Sequence, residues 1–181
     1  MDPVEQSLRN QIAAMTRVLA MAKIFRQDNY PITIEENLFL GSAAAANNKS
    51  ALKDLNITHI LNVTNSLEPS HPNDFVYKVI KVADREDTNL RQYFEECFEF
   101  IDEGKRAGGC VLVHCFAGIS RSVTVVVAYL MRKYRMTVSQ ALEYVRSRRS
   151  KASPNAGFIR QLQEFEKSLH GQEEEKTTES T

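Results

Sequence analysis

The sequence has no tryptophan and only three cysteines among its 181 residues, namely Cys97, Cys110 and Cys115. Their odd number and unpaired spacing argue against a disulfide framework and against a zinc site. Free cysteines are typical of a reducing compartment, so we expect a cytoplasmic and/or nuclear protein.

Neither sign of charge dominates, because 23 basic residues balance 23 acidic ones. The chain therefore has no overall field that would attract nucleic acid or a membrane surface. Its longest apolar run, Val123–Met131, is interrupted only by Thr124 and is much shorter than the roughly 20 residues that span a bilayer. The polar, acid-containing N-terminus is not typical of a secretory signal. The composition predicts one soluble domain with a short appendage.

Apolar segments with strand and helix periodicity alternate along the chain, which predicts an α/β domain with a largely parallel or mixed sheet. The predicted strands are 32–34, 38–40, 57–63, 75–82 and 110–113. The main predicted helices are 5–27, 49–55, 90–106, 121–135, 137–149 and 156–169. Thr137 is the predicted N-cap of its helix, with Gln140 completing a capping box. The polar residues 171–181 are predicted to be disordered.

A short stretch around Cys115 carries the strongest chemical signal. A strand ends at Cys115, five residues follow, and Arg121 opens a helix. Such a loop can curl with the sulfur at its centre and the guanidinium at its rim, and its amides can point inward above the helix N-terminus. This arrangement suits a dianionic phosphate. The predicted phosphate-binding loop is Cys115, Phe116, Ala117, Gly118, Ile119, Ser120 and Arg121.

The residues of this loop have distinct predicted roles. Cys115 is the nucleophile, because a helix N-terminus and a nearby cation stabilise the reactive thiolate. Arg121 can bind two phosphoryl oxygens with its planar fork, and Gly118 permits the turn. Ser122 is placed to hydrogen-bond the sulfur as a leaving group, and His114 is expected to orient the loop. A buried cysteine is commonly only a small hydrophobe, but the complete HCxxGxxRS string favours phosphate chemistry.

This string and most of residues 30–170 resemble the dual-specificity branch of the cysteine-dependent protein phosphatases, especially the small plant MAP-kinase-type members. The further matches are NLFLGS at 37–42, THILNV at 58–63, AYLM at 128–131 and SPNAGF at 153–158. The resemblance implies a central mixed, mostly parallel five-stranded sheet flanked by helices, the cysteine phosphatase fold. It also implies hydrolysis of phosphotyrosine and phosphoserine/threonine through a phosphocysteine, without a metal or other cofactor.

The resemblance divides the chain into an N-terminal helix at 1–29, a catalytic domain at 30–170 and a tail at 171–181. The reaction needs a general acid to protonate the leaving oxygen. The candidates lie in the loop after the strand 75–82 and are Asp84, Glu86 and Asp87. Acidic residues in a loop are commonly solvated side chains without a catalytic role. The resemblance favours Asp84, with Asp87 as the second candidate.

The absence of tryptophan excludes the Trp-bearing acid loop of the tyrosine-specific relatives. Family analogy therefore favours a shallower pocket that admits both phosphotyrosine and phosphothreonine.

The N-terminal helix is basic and amphipathic. Between Gln6 and Gln27 it has no acid, and it carries basic residues and large apolar ones: Arg9, Arg17, Lys23 and Arg26, with Met15, Met21 and Phe25. This pattern is typical of a calmodulin target or a membrane-surface helix, and equally of a helix packed on its own domain. The resemblance favours calmodulin as the partner of residues 5–28.

Two further residues near the C-terminus are candidates. A basic cluster comprises Arg146, Arg148, Arg149 and Lys151, and such clusters are commonly solvated. If the substrate is doubly phosphorylated, Arg149 is predicted to hold the second phosphate at the pocket rim. Asn155 is predicted to hydrogen-bond within the scaffold of the loop.

The predicted function is dephosphorylation of a phosphoprotein, an activated MAP kinase. Two enzymatic alternatives use the same loop, a phosphoinositide phosphatase and an RNA 5′-phosphatase. Lipid-directed relatives tend to place lysine in the loop, which here is uncharged between Cys115 and Arg121, and zero net charge gives RNA little attraction. A non-catalytic phosphoprotein-binding or MAP kinase anchoring module is the other alternative, against which the intact Cys115, Arg121 and Asp84 argue.

Overall fold

Short strands alternate with helices along most of the chain. The computed structural model describes residues 3–178, without the side chains of residues 21, 24–27 and 172–178. The strands are β1 (Ile32–Glu35), β2 (Leu38–Gly41), β3 (Ile57–Asn62), β4 (Val76–Val79) and β5 (Cys110–His114). The helices are α1 (Pro3–Gln27), α2 (Ala43–Asn47), α3 (Lys49–Asp54), α4 (Phe94–Arg106), α5 (Arg121–Tyr134), α6 (Val138–Arg148) and α7 (Ala156–Thr178), and a 3-10 turn, Arg91–Tyr93, leads into α4.

The strands form one mixed, mostly parallel sheet in the order β1-β2-β5-β3-β4, which confirms the predicted fold class. Only β1 is antiparallel to its neighbour. On the central strand β5, Leu112 pairs with Phe39 on one side and Ile60 on the other. Because ligands of such sheets bind at the carboxyl ends of parallel strands, the end of β5 is the position expected for a site.

Both faces of the sheet are covered by apolar side chains, as parallel sheets require. The larger core joins one face to α4, α5, α6 and α7, and the smaller one includes Phe39, Leu52 and Phe75. Helix α5 is the centre of the larger core, since every residue from Arg121 to Met131 is buried. A helix buried all round is held rigidly by its neighbours. It therefore fixes the position of the loop that precedes it.

The predicted boundaries are mostly close to those observed. The capping box of α6 is confirmed. The backbone N–H of Gln140 donates to the Thr137 hydroxyl, and the backbone N–H of Thr137 donates to the side-chain oxygen of Gln140. Strand β4 is shorter than the predicted 75–82. The prediction of disorder over 171–181 needs correction, because α7 continues to Thr178. Glutamate, glutamine and lysine favour helix, and residues 179–181 lie outside the described range.

Helix α1 is exposed along its described side chains and meets the rest of the fold at α2. Leu8, Ile12, Met15 and Leu19 form one apolar stripe and are between 55% and 68% exposed. The alternative of a helix packed on its own domain is therefore not what the described residues show. The side chains of residues 21, 25 and 26, which the calmodulin prediction includes, lie outside the described part. No helix in that part is long and apolar enough to cross a membrane.

Candidate active site

The central strand β5 delivers Cys115 to the carboxyl edge of the sheet. From there the chain turns through residues 115–120 into α5, which begins at Arg121. Cys115 is buried, with 2% of its surface exposed. The predicted loop therefore runs from a buried sulfur at the end of β5 to the first residue of α5.

Neighbouring segments brace this loop from outside. The amide of Ala43 in α2 donates to the carbonyl of Phe116 at 2.9 Å, and the amide of Ser153 donates to the carbonyl of Ile119 at 2.8 Å. These bonds satisfy loop carbonyls and fix the backbone. The loop is therefore held in shape by parts of the chain far from it in sequence.

Two hydrogen bonds end on the Cys115 sulfur. The amide of Gly118 donates to Sγ at 3.2 Å, and the Ser122 hydroxyl donates to it at 3.1 Å. Both stabilise negative charge on sulfur, and so does the N-terminal end of α5. Gly118 has φ +62°, and a Cβ there would lie 2.6 Å from the carbonyl oxygen of Gly41. Glycine at this position is therefore needed for both conformation and space.

Arg121 ends the loop as the first residue of α5 and is buried. Its Nη1 donates to the carbonyl of Val82 at 3.2 Å, which holds the guanidinium in place. Its Nε is buried with no hydrogen-bond partner within the described part of the chain. A buried, unpaired guanidinium donor is unfavourable unless a ligand satisfies it. A phosphoryl oxygen fits this requirement.

Asp84 is attached directly to the loop. Its Oδ1 accepts from the Ser120 hydroxyl at 2.7 Å and from Nδ2 of Asn155 at 2.8 Å. The Ser120 oxygen in turn accepts from the amide of Asn155 at 3.0 Å. Asn155 also caps α7, because its Oδ1 accepts from the amide of Phe158 at 2.9 Å. The carboxyl group is thus fixed at the rim of the loop by two polar side chains.

The other two acids of the same connection point to other partners. Asp87 is exposed and paired with Arg85, whose hydrogen bond lowers the pKa of Asp87. Glu86 is exposed and lies 3.5 Å from Arg160. Of the two candidates for the general acid, only Asp84 has a hydrogen bond to the loop within the described part of the chain, whereas Asp87 pairs with Arg85, so the structure favours Asp84.

His114 lies immediately before the nucleophile and is buried. Burial lowers its pKa from 6.5 to about 4, so the ring is neutral near pH 7. Its Nδ1 is 3.2 Å from the carbonyl oxygen of Cys115, and the tautomer with hydrogen on Nδ1 donates to that oxygen. This geometry fits the orienting role predicted for His114.

Arg149 does not occupy the position predicted for it. Its side chain is buried, with 1% exposed, and is paired with Asp28. It also donates to the carbonyls of Gly118 and Ala117. The prediction that Arg149 holds a second phosphate is therefore wrong, because a guanidinium enclosed by a carboxylate and two carbonyls is not available at the pocket rim.

Sequence reasoning missed the contact of Ser120 with Asp84 and the part played by Asp28. Ser120 was visible only as a member of the loop. Asp28 belongs to the segment that ends α1, and its partner Arg149 is 121 positions further along the chain. Only the resemblance to the phosphatase family indicated that Asp84 acts together with the loop. No local sequence pattern indicated the ion pair between Asp28 and Arg149.

A buried cysteine that accepts hydrogen bonds, a buried guanidinium donor without a partner among the described residues and a carboxyl group bound to the loop are the features expected of a cysteine-dependent phosphatase. A family model for the dual-specificity phosphatase catalytic domain matches residues 38–168. The chain belongs to that family and is a dual-specificity protein phosphatase. It is 62% identical over 164 residues to dual specificity protein phosphatase 1 of Arabidopsis thaliana, covering 91% of this chain and 83% of the relative.

Solved structures agree with this assignment. Human tyrosine phosphatase-like serine/threonine/tyrosine-interacting protein has a TM-score of 0.73 at 39% identity, covering 76% of this chain and 96% of the other. A mouse putative dual specificity phosphatase complexed with zinc tungstate has a TM-score of 0.75 at 32% identity, covering 80% of this chain and 91% of the other. The cysteine phosphatase fold is therefore shared with these proteins.

Proposed function

We propose that this phosphatase inactivates MAP kinases in the cytoplasm or nucleus by removing phosphate from tyrosine and threonine through a phosphocysteine intermediate. The observation that carries the proposal is a buried loop in which the Cys115 sulfur accepts two hydrogen bonds and Nε of Arg121, at the other end of the loop, has no partner among the described residues. Support for the substrate comes from a relative of Dictyostelium discoideum that is named a MAP kinase phosphatase and is 46% identical over 81% of this chain.

In the first step the Cys115 thiolate attacks phosphorus in line with the leaving oxygen. A sulfur–phosphorus bond forms while the phosphorus–oxygen bond to the substrate residue breaks. The departing oxygen keeps the electron pair of that bond and takes a proton from Asp84. Arg121 and the loop amides stabilise the charge on the remaining phosphoryl oxygens.

In the second step water attacks the phosphocysteine. The Asp84 carboxylate takes a proton from the water, a new oxygen–phosphorus bond forms, and the sulfur–phosphorus bond breaks. Cys115 leaves as a thiolate, and the hydroxyl of Ser122 stabilises it through the 3.1 Å hydrogen bond. Inorganic phosphate is released, and the enzyme returns to its starting state.

The test combines turnover with substrate trapping. We expect the wild-type protein to release phosphate from a doubly phosphorylated MAP kinase, and Cys115→Ser to be inactive yet to retain the phosphorylated kinase. Cys110→Ser is the matched control, because Cys110 lies at the opposite end of β5. Faster turnover of phosphoinositides or of RNA 5′-phosphates than of the kinase would contradict the proposed substrate. Full activity of Cys115→Ser would contradict the mechanism.

We also propose that calmodulin binds helix α1. The stripe Leu8, Ile12, Met15 and Leu19 is exposed, and the same helix carries Arg9 and other basic residues, which suit an acidic partner that encloses apolar side chains.

The test is calcium-dependent binding of the full chain to calmodulin. We expect Ile12→Glu to weaken binding at least tenfold, because it places a charge in the apolar stripe, and Gln11→Glu to weaken it far less. Binding to anionic lipid vesicles without binding to calmodulin would contradict this proposal.

A further inference from the structure

Arg149 holds the peptide unit that points its amide at the nucleophile. Its Nη2 donates to the carbonyl of Ala117 at 3.1 Å, and the same peptide unit supplies the Gly118 amide that donates to Sγ of Cys115 at 3.2 Å. In a planar trans peptide the carbonyl and the amide point in opposite directions. Fixing the Ala117 oxygen on the outside of the loop therefore directs the Gly118 N–H inward, toward the sulfur.

A second bond from Arg149 fixes the next peptide unit. Its Nε donates to the carbonyl of Gly118 at 2.6 Å. Two consecutive peptide units at the turn of the loop are thus held by one guanidinium. A lysine at this position could not make this pair of bonds in fixed geometry.

Asp28 holds the guanidinium in turn. Its Oδ1 accepts from Nη1 of Arg149 at 3.0 Å, and its Oδ2 accepts from Nη2 at 2.6 Å, which is the two-pronged pairing that gives the strongest orientation. Lys151 adds a third bond to Oδ2 at 2.6 Å. Burial by itself raises the pKa of Asp28, but Arg149 and Lys151 outweigh that effect and lower it, so the carboxylate is charged near pH 7.

Asp28 is itself anchored. The Ser42 hydroxyl, at the N-cap of α2, donates to the backbone carbonyl of Asp28 at 2.7 Å, and Nδ2 of Asn48 donates to the carbonyl of Asn29 at 2.9 Å. Asp28 follows α1 directly and precedes the family domain, which begins at residue 38. The pair therefore connects a segment in front of the catalytic domain to the loop that binds phosphate.

We propose that Asp28 is a positioning residue of the phosphatase: through Arg149 it orients the Ala117–Gly118 peptide unit so that the Gly118 amide stabilises the Cys115 thiolate. Without Asp28, the buried guanidinium of Arg149 lacks its carboxylate and turns toward other acceptors. The inference rests on the phosphatase activity of the family and is independent of the identity of the substrate and of calmodulin binding.

The first test measures the thiolate directly. We expect Asp28→Asn to slow alkylation of Cys115 by iodoacetate at pH 7 roughly tenfold, because a hydrogen bond to a charged sulfur is lost. We expect kcat for an aryl phosphate to fall by a similar factor. Asp28→Glu should recover part of both rates, since it retains the carboxylate. Asp74→Asn is the matched control, because Asp74 pairs with Lys49 and Lys53 at the surface.

The second test separates positioning from general destabilisation. If Asp28 acts through Arg149, then Asp28→Asn should have little further effect on alkylation in an Arg149→Lys background. Rates are normalised to the folded fraction measured by circular dichroism. Wild-type alkylation and turnover in Asp28→Asn would overturn the proposal, and so would losses that multiply in the double variant. Loss of turnover in wild type as well would instead refute the phosphatase activity itself.

Discussion

At the scale of single residues, the proposed general acid is the carboxyl group of Asp84. Asp84 is the acid that the structure attaches to the loop, and its Oδ1 accepts from both Ser120 and Asn155. The alkoxide that leaves from phosphothreonine is strongly basic and needs a proton. The nitrophenolate that leaves from p-nitrophenyl phosphate is weakly basic and can leave without one. The benefit of Asp84 therefore depends on how basic the leaving oxygen is.

We predict that Asp84→Asn lowers kcat for a phosphothreonine peptide by about 10²–10⁴-fold, the usual contribution of a general acid. The side-chain oxygen of asparagine can still accept from Ser120, so the loop geometry is retained. The loss should be much smaller for p-nitrophenyl phosphate. Asp87→Asn serves as the control, since Asp87 is exposed and bound to Arg85. Equal losses on the two substrates would contradict the role given to Asp84.

The residue-scale chemistry was largely readable from the sequence because its parts are contiguous. Cys115, Arg121 and Ser122 fall within one strand–loop–helix segment, so their spacing alone predicts a phosphate-binding loop. The prediction for Arg149 is wrong because a basic cluster in a sequence does not reveal which of its members is buried. Its partner Asp28 became visible only when the fold brought the two side chains to 2.6 Å.

At the scale of secondary-structure elements, the central strand both positions the nucleophile and buries a titratable ring. β5 ends at His114, whose pKa is lowered by burial from 6.5 to about 4. Between these pH values the unfolded chain takes up a proton that the folded chain does not. The stabilising effect of the neutral ring is fully present above pH 6.5 and is lost as the pH falls toward 4.

We predict that acidification from pH 6.5 to 4 reduces the free energy of unfolding of the wild type by up to about 3 kcal/mol through this one group. His114→Gln is neutral throughout, so its stability should fall less over the same interval when measured by urea unfolding. His170→Gln, which replaces an exposed histidine, should retain the full decrease. Parallel curves for wild type and His114→Gln would contradict this account.

The elements themselves were predictable where one physical signal dominated. Thr137 and Gln140 form the expected capping box, and the apolar run of β5 forms the central strand. β4 ends earlier than its apolar pattern indicates, because a pattern records burial and not the end of strand pairing. The polar composition of residues 171–181 predicts disorder, whereas the glutamates and the lysine of this segment favour helix, and α7 continues to Thr178.

At the scale of the whole molecule, the phosphate site exists only when distant segments are assembled. β5 supplies the sulfur, α5 supplies Arg121, α2 and the segment at Ser153 brace the loop, and the connection after β4 brings Asp84. The unfolded chain has none of this geometry. An oxyanion that binds the loop therefore binds the folded state alone and stabilises it by mass action.

We predict that tungstate, a tetrahedral oxyanion, raises the melting temperature of the wild-type protein. A ligand present at a hundred times its dissociation constant stabilises the fold by about 2.7 kcal/mol, which corresponds to several degrees for a chain of this size. In Arg121→Lys the increase should shrink at the same tungstate concentration, because lysine cannot engage two oxygens with a planar fork. Arg160→Lys is the control, since Arg160 is exposed and pairs with Glu86. An equal increase in the melting temperature of Arg121→Lys, or no increase in the wild type, would contradict this prediction. Either result would show that Nε of Arg121, which has no partner among the described residues, does not bind the anion.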